Sequence, residues 1–334
     1  MKSIENVIGK FLDFDKEAEV TRIIDCIRRL LREHLHRRGL VLGISGGVDS
    51  AVCAALAVGA IGPGKVQALL MPERDSSSES VVYGRLVAEH LGVPYLIEDI
   101  APTLEAIGCY RWRDEAIRTV FPEYSTDWKN KIIITGGNEG KINHFNLVVA
   151  DPGGNLFEKR LGYKEYLQIV AATNFKQRIR KTLEFFHADR LNYAVVGTPN
   201  RVEYDQGFFV KGGDGAADIK PIAHLYKSQI YMLARHLGLP DVICNATPTT
   251  DTYSLAQGQD EFYYALPYQE MDIALWHRNH QRPAIELAEV LSITEEQAEF
   301  IYRDIDNKRR TTGPLHWPAI LLGSVSGPIA APRC

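Results

Sequence analysis

The chain has 334 residues, 45% of them hydrophobic and 24% charged, with a formal net charge of −4. That length holds one large α/β domain or two ordinary ones, and the slight acidic excess is unlike a protein that wraps nucleic acid. No run of about eighteen apolar residues and no signal-peptide pattern is present, so the default is a cytoplasmic enzyme with no membrane contact.

In chain order, the pattern predicts a helix over about 17–38, with an apolar face of Ile23, Ile24, Ile27, Leu30, Leu31 and Leu35. A strand over 40–44 opens into Ser45-Gly46-Gly47, followed by a helix over 50–60. Next come a strand (66–71), a helix (79–91) with Gly92 as its cap, and a strand (94–99). Further on are a helix (164–188), a strand (191–196) and a helix (224–237). Alternation of this kind implies a doubly wound parallel sheet, with ligands beyond the carboxyl ends of the strands. The loops after 44, 71 and 196 are therefore the informative ones. Between 124 and 163, two apolar runs (131–135 and 145–149) and the turn Asp151-Pro152-Gly153-Gly154 read as a β-hairpin insertion, either a lid or a surface decoration. Five cysteines, an odd number without a C-x-x-C pair, argue against a disulfide framework and a structural zinc site; Cys26 and Cys53 read as small core residues.

The stretch Gly43-Ile44-Ser45-Gly46-Gly47-Val48-Asp49-Ser50 carries the strongest signal. A strand, a Gly-rich turn and a helix N-terminus bring backbone N–H groups and the positive end of a helix dipole to an anion. The spacing is not that of the common nucleotide loop, and no lysine follows the glycines. Asp49 stands there instead, which suits a divalent cation shared with phosphate. After the strand at 191–196 comes Gly197-Thr198-Pro199-Asn200-Arg201-Val202-Glu203, where Glu203 supplies a second hard oxygen opposite Asp49 and Thr198 a hydrogen bond. A long Gly-rich loop follows, Gly207-Phe208-Phe209-Val210-Lys211-Gly212-Gly213-Asp214-Gly215-Ala216-Ala217-Asp218, and then Leu225-Tyr226-Lys227-Ser228-Gln229.

Ser-Gly-Gly-Val-Asp-Ser resembles the pyrophosphate loop of the N-type ATP pyrophosphatases. The full order of motifs resembles the NAD synthetase family over roughly 20–100 and 165–310, with the hairpin outside it. The resemblance implies an adenine nucleotide alpha hydrolase-like, Rossmann-like fold in one domain spanning 1–334. It implies ATP-dependent amidation of deamido-NAD to NAD through an adenylated carboxylate, with ammonia as nitrogen donor. Residues 43–50, Thr198, Lys227 and Thr249 would contact ATP, and Asp49 and Glu203 would hold Mg²⁺. Arg178, Lys211, Asp218, Asn307 and Lys308 would bind deamido-NAD, with Asp218 also taking the proton from ammonium. A homodimer is implied. No glutaminase domain fits before the first helix, so ammonia comes from solution or a separate glutaminase.

Asn307 stands where the family commonly has His, and Tyr263 and Ala265 where it has an acidic residue and Gly. These departures motivate an alternative, a related ligase that amidates a different carboxylate. A nucleotide-binding sensor without catalysis is a further alternative, opposed by the joint presence of Asp49, Glu203 and Lys227.

Overall fold

The computed structural model describes residues 4–135, 144–248, 253–255, 258, 263 and 266–323. Helix α1 (Ile4–Phe11) has no counterpart among the expected elements. Helix α2 (Lys16–Arg29) starts on Asp15, whose carboxylate accepts the Ala18 N–H at 3.0 Å, and runs on as a π-helical stretch to Leu35. Then come β1 (Leu40–Gly43), α3 (Val48–Ile61), β2 (Val66–Leu70), α4 (Ser78–His90) and β3 (Tyr95–Ile97), each close to its expected place. Helices α5 (Ala101–Ala106) and α6 (Cys109–Val120) fill a stretch with no assigned element. Strands β4 (Lys129–Thr135), β5 (His144–Ala150) and β6 (Leu156–Arg160) precede α7 (Tyr163–Leu191) and β7 (Ala194–Val195). The chain continues through α8 (Arg201–Gln206), α9 (Lys227–His236), α10 (Asp241–Cys244), α11 (Tyr268–Asn279), α12 (Ala284–Leu291) and α13 (Glu295–His316).

The main sheet is parallel, in the order β3-β2-β1-β7. The chain steps outward from β1 to β3 and then returns to the other side of β1, so the order reverses between β1 and β7. That reversal opens a crevice at the carboxyl ends of these two strands. Leu40, Val41 and Leu42 are buried on both sides of the sheet because helices cover both faces. On one face α3, apolar all round, packs against α2 and α9. On the other, Val41, Leu69 and Val195 meet Leu104, Tyr110 and Ala188. The family-like, doubly wound α/β expectation holds.

Two expectations are corrected. The insertion is a three-stranded antiparallel sheet, not a hairpin, since β6 pairs with β5 from Asn146–Arg160 to Ala150–Leu156. Every residue of β6 is exposed, so it carries no burial pattern to read from sequence. Cys26 is half-buried rather than a core residue.

The loop after β2 is held by a buried ion network that no short motif announces. The Lys176 ammonium, 1% exposed, pairs with Glu73 Oε1 at 2.9 Å and donates to Asp75 at 2.8 Å. The Arg113 guanidinium bonds Asp75 and Asp114, the Tyr110 hydroxyl donates to Glu73 at 2.8 Å, and Arg74 lies 3.8 Å over the Tyr110 ring. Arg180 donates to the Met71 carbonyl at 3.2 Å. These contacts fasten the loop 71–77 to α6 and α7.

Burial alone would raise the Asp75 carboxyl, but Lys176 and then Arg113 outweigh it and hold it below its ordinary value. A depressed carboxyl contributes stability above its unfolded-state value and loses it as pH falls through the folded-state value. Lys176→Met leaves Glu73 and Asp75 short of a cation and is expected to cost about 3–5 kcal/mol at neutral pH. Urea denaturation should show that gap narrowing toward acid pH; a gap constant with pH would show that the loss is one of packing.

Candidate active site

A cavity of about 1090 Å³ opens at the sheet's reversal point, and the whole stretch Gly43–Ser50 lines it. The cradle is shaped by its own hydroxyls. Ser50 Oγ donates to the Gly47 carbonyl at 3.0 Å and accepts the Ser45 N–H at 3.3 Å, while Ser45 Oγ accepts the Gly47 N–H at 3.3 Å. Gly46 has φ +84°, and a Cβ there would come within 2.9 Å of both the Ser80 carbonyl oxygen and Tyr83 Cβ. The turn therefore needs glycine for its conformation and for its approach to α4. Asp49 lies in the first turn of α3, not in the loop itself.

Lys227 begins α9 and is buried, and its ammonium bonds the Asp49 carboxylate. Burial pulls the Lys227 ammonium down, yet Asp49 and then Glu203 more than reverse this, so it stays above its ordinary value and charged. Glu203 and Asn200 form a reciprocal cap on α8: Asn200 Oδ1 accepts the Glu203 N–H at 3.0 Å and Glu203 Oε2 accepts the Asn200 N–H at 3.1 Å. The Asn200 amide also donates to Asp49 at 3.3 Å, which links the cradle to the loop after β7. From α11, the buried Asp272 accepts N–H groups of Lys227 at 3.2 Å and Ser228 at 2.7 Å. Burial pushes the Asp272 carboxyl up to about 7 in spite of those bonds. Asn200 and Asp272 were not singled out from sequence; the Asn-x-x-Glu spacing at 200–203 is the one readable sign.

Pro72, Ser76, Thr198, Glu203 and Lys227 line the same cavity as the cradle, and so do Tyr166, Thr173, Arg178, Phe208, Lys211 and Tyr253. A Cβ at Gly43 would lie 3.1 Å from Glu184 Oε1, and Tyr166 stands about 27 Å further back along α7 at 1.5 Å per residue. The Gly-rich loop is a tied turn: Asp214 accepts the Val210 N–H at 2.7 Å, and Gly213 and Gly215 donate to the Val210 carbonyl at 2.9 and 3.1 Å. Asp214 is a cavity residue whose carboxyl burial raises, with Lys181 and Glu184 beside it as a buried pair 2.6 Å apart. Lys211 is exposed and donates to the carbonyls of Pro314 at 2.9 Å and Trp317 at 3.1 Å. Arg178 is exposed and donates to the Lys211 carbonyl at 3.4 Å.

Some expected residues stand elsewhere. Asp218 is exposed, is not among the cavity residues, and accepts the Val195 N–H at 2.7 Å. Asn307 is exposed and accepts from Arg310 at 2.8 Å, while Lys308 donates to Asp304 at 2.6 Å and to the Tyr263 carbonyl at 2.8 Å. Neither lines the cavity. Thr249 lies outside the described residues, although Thr247 and Pro248 just before it are cavity residues. Tyr263, one of the departures from the family pattern, lines the cavity and stacks on Phe208 with ring centroids 4.7 Å apart.

The sequence profile of the NAD synthase family matches residues 19–121 and 145–311. The NH3-dependent NAD+ synthetase of Mesorhizobium japonicum is 53% identical over 306 residues, covering 91% of this chain and 96% of that protein. Among solved structures, NMN synthetase from Francisella tularensis superposes with a TM-score of 0.62 at 21% identity, covering 92% of this chain and 99% of that one. NH3-dependent NAD synthetase from Campylobacter jejuni superposes with a TM-score of 0.61 at 22% identity, covering 92% and 100%. At those identities the superpositions establish the shared fold.

Gly46→Ala is expected to weaken ATP binding at least about tenfold, about 1.4 kcal/mol, by isothermal titration. Gly64→Ala, where a Cβ meets nothing within 4 Å, should leave binding unchanged. Equal affinity in both variants would remove the cradle from the nucleotide site.

Proposed function

We infer the chemistry from one premise: the chain belongs to the NAD synthase family. Its activity is the ATP-dependent amidation of deamido-NAD to NAD with ammonia, a ligase reaction that forms a C–N bond. The observation that carries the residue assignments is the meeting of Asp49, Lys227 and Glu203 beside a glycine cradle at the sheet's reversal point.

In the first step the nicotinate carboxylate attacks the α-phosphorus of ATP. The bond to the β-phosphate oxygen breaks, and pyrophosphate leaves with its charge against the cradle N–H groups and the Lys227 ammonium. Ammonia then attacks the acyl carbon, the bond to AMP breaks, and nitrogen gives up a proton as the amide forms. Asp218 stays with Val195, away from the cavity wall, so that proton is not assigned to it. A buried, permanently charged lysine suits the first step because it needs no proton transfer to meet the developing charge.

Mg²⁺ fits the same place. Asp49 and Glu203 are hard oxygen donors near enough to act together on Lys227, and phosphate and water would complete the coordination. Bound there, the ion would neutralise charge on the phosphates. Arg178 and Lys211 line the cavity, and we assign them to the acceptor because a dianionic dinucleotide needs cations. Asp218, Asn307 and Lys308 lie outside the cavity, and a homodimer with deamido-NAD across the interface would give them a role. We take 1–334 as one synthetase domain, with ammonia from solution or a separate glutaminase and a cytoplasmic location. Among the described residues no helix is long and apolar enough to cross a membrane.

The test is mass detection of NAD and AMP after incubation with ATP, Mg²⁺, ammonium and deamido-NAD, beside a panel of other carboxylates. The Tyr263–Phe208 stack at the cavity motivates that panel, since turnover of another acid alone would favour the related-ligase reading. Asp49→Asn is expected to abolish turnover and, because it deprives buried Lys227 of its partner, to cost roughly 1–3 kcal/mol of stability. Chelation with EDTA should stop NAD formation, and added Mg²⁺ should restore it. Wild-type rates in Asp49→Asn would end its assignment as a metal ligand.

A further inference from the structure

The three-stranded sheet lies over the N-terminal part of α7, and two tyrosines connect it with the cavity. Tyr166 of α7 is a cavity residue and stacks on Phe145 of β5, with centroids 4.0 Å apart and 17° between the planes. Tyr253 is also a cavity residue, only 3% exposed, and is embedded in the sheet's apolar core with Phe121, Ile132, Leu147 and Val149. The backbone after Tyr253 is tied to β4. Ser254 Oγ accepts the Asn130 N–H at 2.9 Å, and the Leu255 N–H donates to the Asn130 carbonyl at 3.1 Å. Asn130 is itself fully buried, and its side-chain amide donates to the Tyr124 hydroxyl at 2.8 Å.

All of β4, Asn130 included, falls within 122–144, the stretch between the two matched parts of the family profile, whereas β6 and nearly all of β5 lie inside the match rather than outside it as expected. We propose that this insertion is a fixed wall of the acceptor half of the cavity, in which β4 and β5 position Tyr253 and Tyr166 against the acceptor. Glu184 of α7 abuts the cradle at Gly43, Tyr166 lies about 27 Å from it along the same helix, and Tyr253 shares its apolar core with Ile169 of that N-terminal part, so both tyrosines stand away from the cradle. A wall held by a packed core and two backbone ties adds no ordering cost at binding, so its contribution appears in acceptor affinity. The alternatives of lid and surface decoration fit less well. A lid would have to break the Tyr253 burial on every cycle, and a decoration would not share its core with a cavity residue. Tyr166 and Tyr253 are thus positioning residues, set by the insertion.

The inference rests on the NAD synthetase reading, and steady-state kinetics on the full chain separates the two. Ser254 is a half-buried loop residue, and Ser254→Ala removes the tie to Asn130 at the cost of one unpaired buried N–H. The expected result is a deamido-NAD KM raised about five- to tenfold, an ATP KM within about twofold, and a melting temperature lowered by no more than about 5 °C. Ser254→Thr, which keeps the hydroxyl, should restore the acceptor KM. Phe145→Leu, which removes the ring against Tyr166, should raise the same KM independently. Unchanged acceptor KM, or equal changes in both KM values, overturns the wall. A wild-type enzyme that forms no NAD from deamido-NAD overturns the functional reading, and this inference with it.

Discussion

One buried ammonium organises the catalytic end of the molecule. Lys227 is held by α9, Asp49 by α3 after β1, and Glu203 by α8 after β7, so three separate segments converge on one charge. A lysine so deeply buried is unfavourable unless its partners are fixed in place. Asn200 supplies that fixing by bonding Asp49 and capping with Glu203 at once. Asp272 supplies it from the other side by accepting the first N–H groups of α9. Charges that are already ordered need little reorganisation when a neighbouring group becomes negative, which is what the proposed role of Lys227 in pyrophosphate departure requires.

Helix α7 is the second constraint. Its 29 residues span roughly 43 Å at 1.5 Å per residue. Its N-terminal part carries Ile169 in the insertion's core and Tyr166 at the cavity. Its middle carries Lys176 in the ion network and Arg180 on the loop after β2. Its last turns place Ala188 under the sheet. One rigid element therefore fixes the distance between the inserted sheet and the cradle. On the proposed function that distance matters, because the acyl carboxylate must meet the α-phosphorus in line.

How far the sequence could be read follows from the range of the interactions. The cradle was legible because strand, small residues and helix are contiguous and every part serves one local geometry. The same holds for the elements from β1 to β3, whose apolar runs report burial directly. Helix α7 is read with nearly its full length, but not its varied partners, because it buries different faces along its course. Strand β6 has only exposed residues and no apolar alternation to reveal it. Asp214 and Asp218 show the limit at the site: four residues apart in a glycine-rich stretch, they look equivalent as letters. Folding turns the first inward to hold Val210 and leaves the second outside on Val195. Spacing carries no information about which side of a turn faces the cavity.

The cradle and the rest of the cavity differ in what they offer a ligand. The cradle presents backbone N–H groups, a helix terminus and a few fixed charges. A glycine there has no tolerated substitute, since Gly46 needs both its positive φ and the space beside Ser80 and Tyr83. Elsewhere the cavity is lined by side chains, among them Tyr166, Tyr253, Tyr263, Phe208, Arg178 and Lys211. Side-chain walls can be exchanged or buttressed without altering the chain path through the cradle. An inserted sheet on that side can thus reshape acceptor contacts while the adenylating machinery stays intact. The profile of the family takes in β6 and nearly all of β5 but passes over β4, from which the ties to Ser254 and Leu255 come.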